Sequence, residues 1–328
     1  MTFRFLMTAT TLGAEGKRLL AAAGCDVHYL QHNDDPQEVE RLMATHAYDA
    51  VISRTVTLSA AAIAACPSLR VICKHGVGVT NIDVPAASAR GIPVLTTPAT
   101  NAQSVAELTV GLLLSAARRI AFFQHEIRSG RWTRTGDGKE LLGSTLGLIG
   151  FGEIGRRVAK MAQAIGMTVV YFDPAVSADG SAQDIARMPT LETLLQRADV
   201  LSLHCPVTPH TRNLLNAETL ALLPDGAIFL NTSRGELIDE AALVAALRSG
   251  RVAAAGLDTF AVEPLPAGHP FMQLDNIVMT PHVGGATPAA LDAVARSAAQ
   301  QCLDYLQHHR INARACVNPE VLKQENNQ

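Results

Sequence analysis

The chain has 328 residues, 48% of them hydrophobic, and its 27 Lys and Arg against 30 Asp and Glu give a formal charge of -3. That length exceeds what a single hydrophobic core usually serves, so two compact domains are expected. A small net charge with no long basic run lacks the electrostatic footprint that DNA, RNA or an anionic membrane requires, so neither nucleic acid nor membrane is an expected partner.

The N-terminal apolar run is too short for a signal peptide. The longest apolar run, residues 108–117, falls short of the roughly 18 to 20 residues needed to span a bilayer. A cytoplasmic protein is expected. The cysteines Cys25, Cys66, Cys73, Cys205, Cys302 and Cys316 show neither a C-x-x-C pair nor zinc-like Cys/His spacing. They read as reduced packing residues, and no metal is expected.

Five short β-branched runs, at 3–7, 27–30, 50–52, 71–73 and 94–96, alternate with Ala- and Leu-rich helical stretches, the pattern of a parallel sheet with helices on both faces. Residues 101–129 keep a helical period through Val105, Leu108, Leu112 and Ile120 without an internal Pro, and predict one long helix. Strand candidates then recur at 146–149, 169–172, 200–203, 228–230, 253–257 and 277–279, six in all, the count of a complete dinucleotide fold. A last helix over 288–308 is long enough to return to the first domain. The fold class is therefore α/β, with two doubly wound parallel-sheet domains. Residues 1–98 and 284–328 form a substrate domain, and a Rossmann domain over 99–283 is inserted into it. Two crossings near 98 and 284 suit a hinge whose closure excludes water.

The segment Gly150-Phe151-Gly152-Glu153-Ile154-Gly155 places G-x-G-x-x-G between a strand and a helix beginning near Gly155. Gly150 makes the tight turn, Gly152 lets backbone approach a pyrophosphate, and Gly155 allows close helix packing. Three glycines alone also fit an ordinary strand-to-helix turn. Asp173, about 20 residues on at the end of the next strand, adds a carboxylate for ribose hydroxyls. It would repel a 2′-phosphate, and the Pro174 and Ala175 that follow bring no guanidinium, so NAD is favoured over NADP.

Reduction of a 2-oxo acid needs a cation for the carboxylate and carbonyl, a proton donor, and a group that keeps the donor charged. Arg234 in Ser233-Arg234-Gly235, Glu263 before Pro264, and His282 in Pro281-His282-Val283-Gly284-Gly285 all follow strand candidates, where α/β sheets bind ligands. Singly, they also fit a dipole contact, a loop carboxylate and a satisfied turn histidine. Jointly, after G-x-G-x-x-G, they specify chemistry. Arg234 can hold two oxygens at once, His282 can act as general acid and base, and Glu263 can orient the ring.

From about residue 48 to 318 the chain resembles the D-isomer-specific 2-hydroxyacid dehydrogenase family, nearest to phosphoglycerate dehydrogenase-like members without a regulatory domain. The resemblance implies Arg234, Glu263 and His282 as the catalytic set and D stereochemistry. It puts Glu153 and Ile154 in the cofactor turn, Asp258 at the nicotinamide carboxamide with Thr232 nearby, and His204, Cys205, Pro206 and Thr211 along the cofactor cleft. His204 is preferred there as a wall residue over a catalytic one. In Lys74-His75-Gly76-Val77-Gly78, the Val77 and Gly78 amides would bind the substrate carboxylate, although a plain glycine turn also fits. Thr80 stands where many relatives have Asp, which weakens close substrate analogy. Arg54 either reaches the distal end of the substrate or is a solvated surface arginine. Asn101 and Ser104 would face the cleft, Asn101 on the substrate side and Ser104 on the cofactor side.

The expected substrate is a small 2-hydroxy or 2-oxo acid such as 3-phosphoglycerate, hydroxypyruvate or glyoxylate. An alternative is an NAD(H)-sensing scaffold like the corepressors of the same family, which can retain the triad. The long helix from Asn101, with its apolar stretch through Ala117, suits a homodimer interface, and burial within the monomer accounts for the same stripe.

Overall fold

The computed structural model describes residues 2–33, 35–176 and 185–322. The chain divides into two compact units, one of Met1–Asn101 with Ala286–Gln328 and one of Ala102–Gly285.

The first unit holds a parallel five-stranded sheet of β1 (Arg4–Met7), β2 (Asp26–Tyr29), β3 (Ala50–Ser53), β4 (Val71–Lys74) and β5 (Val94–Leu95), ordered β2-β1-β3-β4-β5. β3 and β4 are buried at every residue, and up to their polar last residues, Ser53 and Lys74, they read as apolar runs rather than alternating ones. Helices α1 (Ala14–Ala22) and α11 (Pro288–His308) cover one face through Leu20, Ala295, Ala298 and Cys302. Helices α2 (Pro36–Thr45), α3 (Ala60–Ala65) and α4 (Val84–Ala89) cover the other through Val39, Met43, Ile63 and Ala87. α1 and α11 touch closely because a Cβ on Gly16 would lie 2.8 Å from the Ala295 carbonyl oxygen. α11 starts where its sequence says it should: the Thr287 hydroxyl accepts from the Ala290 amide, and Pro288 occupies the first turn.

The second unit opens with α5 (Ala102–Ala117) and α6 (Ile120–Arg128). Its strands are β6 (Thr145–Ile149), β7 (Thr168–Phe172), β8 (Ala186–Arg187), β9 (Val200–Leu203), β10 (Ala227–Asn231), β11 (Val252–Leu257) and β12 (Ile277–Met279). They form one parallel sheet in the order β12-β11-β10-β9-β6-β7-β8. Six of them follow the doubly wound order for dinucleotides, and β12 is added at one edge. Helices α8 (Leu191–Leu195), α9 (Ala217–Ala221) and α10 (Glu240–Ser249) cover one face through Leu195, Leu220, Leu243 and Leu247. α5 and α7 (Glu153–Ala164) cover the other through Leu112, Leu113, Val158 and Ala162.

Three expectations need correction here. The sheet has seven strands rather than six, because β8 is two exposed residues, Ala186 and Arg187, with no apolar signal to reveal it. The helix predicted over 101–129 is two helices. Arg119 adopts the left-handed conformation at φ 52°, and its guanidinium, paired with Asp137, lies 3.9 Å from the Phe122 ring centroid, so the chain turns between α5 and α6. α7 begins at Glu153 rather than near Gly155, with Gly152 as its extended N-cap. The apolar stripe of α5 is buried inside this unit, with Leu112, Leu113, Ala116 and Ala117 in its core.

Candidate active site

Because the seven strands run parallel, their carboxyl ends share one edge. The order reverses between β6 and β9, the switch point at which such sheets bind ligands. Gly150, at φ 95°, leaves β6 there. A Cβ on it would meet the His204 carbonyl carbon and oxygen at 2.6 Å, so the turn after β6 lies directly against the segment after β9. Gly155 packs as tightly, with its Cβ position 2.5 Å from the Gly150 oxygen. Gly152 differs: nothing lies within 4 Å of its Cβ position, and no side chain caps the N-terminus of α7. The opening of that helix, with Glu153 and Ile154 in its first turn, is thus clear for an anion.

The Asp173 carboxylate is held at the end of β7 by two amides, Phe151 at 2.8 Å and Ala175 at 2.9 Å. Beyond β9, burial of His204 lowers its pKa to about 4, so the ring is neutral. Its Nε2 pairs with the Ser202 hydroxyl at 2.9 Å, while the buried Nδ1 has no partner among the described residues. Burial pushes the Cys205 thiol up to about 11, which makes it a packing group rather than a nucleophile. The Thr211 hydroxyl donates to the Pro206 carbonyl oxygen and accepts from the Thr208 amide, closing this segment into a staple. These residues fit a bound dinucleotide: an open glycine turn, an anchored carboxylate for a ribose, and an orphan ring nitrogen beside the switch point.

Along the same edge, Asn231 ends β10 and shapes the loop that follows. Its side-chain oxygen accepts from the Ser233 amide and its NH2 donates to the Arg234 carbonyl oxygen. Arg234 is half-buried in extended backbone, one guanidinium nitrogen donating to the Ser233 oxygen at 2.7 Å. Thr232 is buried, its hydroxyl paired with that of Thr109 on α5.

Asp258, 1% exposed at the end of β11, accepts from the Thr280 hydroxyl at 2.6 Å and the Val283 and Gly284 amides at 2.9 and 2.8 Å. Its carbonyl oxygen also accepts from the His282 amide. This explains how His282 sits at φ 52°, a conformation costing a non-glycine residue about 1 to 3 kcal/mol. The resulting ring places Nδ1 2.7 Å from Glu263 Oε2, and Glu263 Oε1 accepts from the Phe260 amide at 3.0 Å. With Nδ1 committed to Glu263, Nε2 is the nitrogen left for substrate, and the pair is accessible at 45% and 36% side-chain exposure.

In the first unit, Val77 is 52% exposed after β4, and the Val77 and Gly78 amides meet no acceptor among the described residues. Arg54 follows β3, with its amide on the Thr8 hydroxyl. Lys74 is buried and donates to the Arg54 carbonyl and to Asn81 Oδ1. His75, between Lys74 and the glycines, is lowered to about 4 by burial and then by the Arg54 charge. Asn101 ends this unit and Ser104 lies in the first turn of α5. Among the described residues no group of three or more His, Cys, Asp or Glu could hold a metal.

Sequence reasoning missed the clamp that Asp258 makes on the His282 loop, and it missed Glu240 and His269, which pair at 3.3 Å beside the Glu263 loop. A His directly before Pro270 was the only local signal.

A family model described as D-isomer specific 2-hydroxyacid dehydrogenase, NAD binding domain, matches residues 110–284. The chain is 45% identical over 247 residues to a hydroxypyruvate reductase of Thermotoga maritima, covering 74% of this chain and 79% of that one. It is 40% identical over 269 residues to a D-3-phosphoglycerate dehydrogenase of Mycobacterium leprae, covering 81% of this chain but only 51% of the relative, so it spans about half of that longer protein. Its fold matches that of a cofactor(NAD+)-bound 3-phosphoglycerate dehydrogenase of Entamoeba histolytica with a TM-score of 0.81 and 26% identity, covering 97% of this chain and 99% of the other.

Proposed function

Because the chain belongs to the D-isomer specific 2-hydroxyacid dehydrogenase family, we propose that it moves a hydride between NAD and a small D-2-hydroxy or 2-oxo acid of the hydroxypyruvate, glyoxylate or 3-phosphoglycerate kind. The observation that carries this reading is the accessible His282 ring, backed by Glu263 at 2.7 Å, at the sheet edge that also carries the open glycine turn. The enzyme names of the relatives favour catalysis over the scaffold reading.

Gly150, Gly152, Glu153, Ile154, Gly155 and Asp173, with His204, Cys205, Pro206, Thr211, Thr232, Asp258 and Ser104, would hold NAD, which when bound would supply or take up the hydride. Arg234 grips the substrate carboxylate and polarises the 2-oxo group, for which a planar two-donor cation suits better than an ammonium. In reduction, His282 Nε2 gives its proton to the developing alkoxide, and in oxidation it removes that proton. Glu263 fixes the ring through Nδ1. Val77 and Gly78 amides are further carboxylate donors, Asn101 is a substrate contact, and Arg54 serves a distal anionic group. The anchored Asp173 carboxylate opposes a 2′-phosphate and supports NAD over NADP.

We propose further that the protein acts as a cytoplasmic homodimer. Among the described residues no helix is long and apolar enough to cross a membrane. Ile120, Ile127, Trp132 and Leu142, on α6 and the segment after it, are more than half exposed and supply apolar surface for a second copy. Sedimentation of the purified protein checks the dimer. A panel of 2-oxo acids with NADH and NADPH side by side checks the reaction. His282→Ala or Arg234→Ala should lower turnover by at least about 100-fold; a variant that keeps most of its turnover refutes the assignment.

A further inference from the structure

The backbone of Phe260 and Ala261 is held from three directions. The Phe260–Ala261 peptide packs on Gly235, where a Cβ would come within 1.9 Å of the Phe260 carbonyl carbon and 2.2 Å of the Ala261 nitrogen, so no other residue can follow Arg234 without moving it. The Phe260 amide donates to Glu263 Oε1, and the Ala261 amide donates to Glu240 Oε1 at 2.9 Å. Two successive peptides, Thr259–Phe260 and Phe260–Ala261, therefore touch the carboxylate behind His282 and the residue after Arg234.

Glu240 is fixed in turn. It is the first residue of α10, after the Asp239 cap, and its Oε2 lies 3.3 Å from His269 Nε2 in a half-enclosed pair, at 19% and 17% side-chain exposure. His269 Nδ1 accepts from the Phe271 amide at 3.3 Å. A backbone amide is always a donor, so Nδ1 is the acceptor, and Nε2 is the ring nitrogen on the Glu240 side, within ion-pair distance of its carboxylate. Phe271 is fully buried, its ring 4.6 Å from His269 and 6.4 Å from Phe260. The second histidine and glutamate of this region are thus built inward on the fold, whereas His282 and Glu263 face outward.

We propose that Glu240 and His269 are positioning residues for the catalytic set: they lock the Phe260–Ala261 peptide onto Gly235 and so hold Glu263 in line with His282 and in register with the Arg234 loop. This rests on the dehydrogenase reading above. Neither residue touches substrate or cofactor in this scheme; both act through Glu263.

The test is a double-mutant cycle in the full chain, read as kcat and KM for the best 2-oxo acid together with NADH affinity by fluorescence. Misplacing a catalytic group by about 1 Å costs up to about 100-fold, so Glu240→Ala should lower kcat by about 10- to 100-fold with NADH affinity unchanged. In a Glu263→Ala background the same substitution should lower kcat by less than about 3-fold, because its route of action is gone. His269→Asn, which can still accept from the Phe271 amide but cannot reach Glu240, should show a smaller loss of kcat than Glu240→Ala and serves if that variant folds poorly. Equal losses in the two backgrounds, or unchanged kcat in both Glu240→Ala and His269→Asn, overturn the proposal. His282→Ala separates the two levels: turnover surviving it refutes the dehydrogenase reading itself, whereas its loss alongside a fully active Glu240→Ala refutes only the positioning role.

Discussion

Asp258→Asn perturbs the buried carboxylate that gathers the His282 loop. Asp258 accepts from the Thr280 hydroxyl and the Val283 amide at one oxygen and from the Gly284 amide at the other. An asparagine can turn its oxygen to either side. In one orientation its NH2 faces the Gly284 amide; in the other it faces the Val283 amide, while the Thr280 hydroxyl rotates to accept. Either way one buried amide meets a donor, at about 1 to 3 kcal/mol, and the remaining contacts lose their charge assistance. A total of about 3 kcal/mol, in a domain of 150 to 250 residues, lowers the melting temperature by about 9 °C. His282 keeps its amide bond to the backbone carbonyl of residue 258 but loses part of the side-chain support that holds its loop at φ 52°, and kcat/KM should fall about 10- to 100-fold. Calorimetry and steady-state kinetics on the same preparation read both effects. A melting shift under about 2 °C refutes the hydrogen-bond accounting, and normal kcat/KM in a destabilised variant refutes the link from Asp258 to His282.

Gly152→Ala should leave melting unchanged while weakening NADH binding at least about 10-fold, because its Cβ enters space that only a ligand would fill; titration by fluorescence checks it. Gly155→Ala should instead cost about 1 to 3 kcal/mol in denaturant unfolding, since its Cβ falls 2.5 Å from the Gly150 oxygen. His204 is neutral in the folded protein down to about pH 4 but protonates near 6.5 when unfolded. Its contribution is therefore complete above pH 6.5 and declines as pH falls toward 4, by up to about 3 kcal/mol. His204→Gln should flatten that part of the stability curve, and an unchanged pH slope refutes the burial argument. Arg234→Lys should keep the charge yet lose at least about 10-fold in kcat/KM for lack of the two-donor geometry, measured with saturating NADH.

Local rules carried the reading where one short segment contains its own cause. Pro288 marks the start of α11, the apolar runs 50–52 and 71–73 announce strands of a covered parallel sheet, and Gly150 to Gly155 need only their own spacing to make a turn. The exposed pair Ala186–Arg187 becomes β8 only by hydrogen bonding to β7, and no local pattern encodes that. The break at Arg119 likewise depends on Asp137, well outside any helical window.

Residue identity by itself determined that this chain carries a glycine turn for a dinucleotide, a carboxylate at the end of the next strand, and an Arg, a Glu and a His suited to oxo-acid reduction. Only tertiary structure decided how they are held. Glu263 and His282 meet across 19 positions, Asp258 clamps amides 25 and 26 residues away, and Glu240 reaches an amide 21 residues on. Side-chain chemistry is local to a residue and can be read from its letter. Contacts over such separations exist only after the strands are set side by side, and the same letters unpaired would also fit a loop carboxylate or a turn histidine.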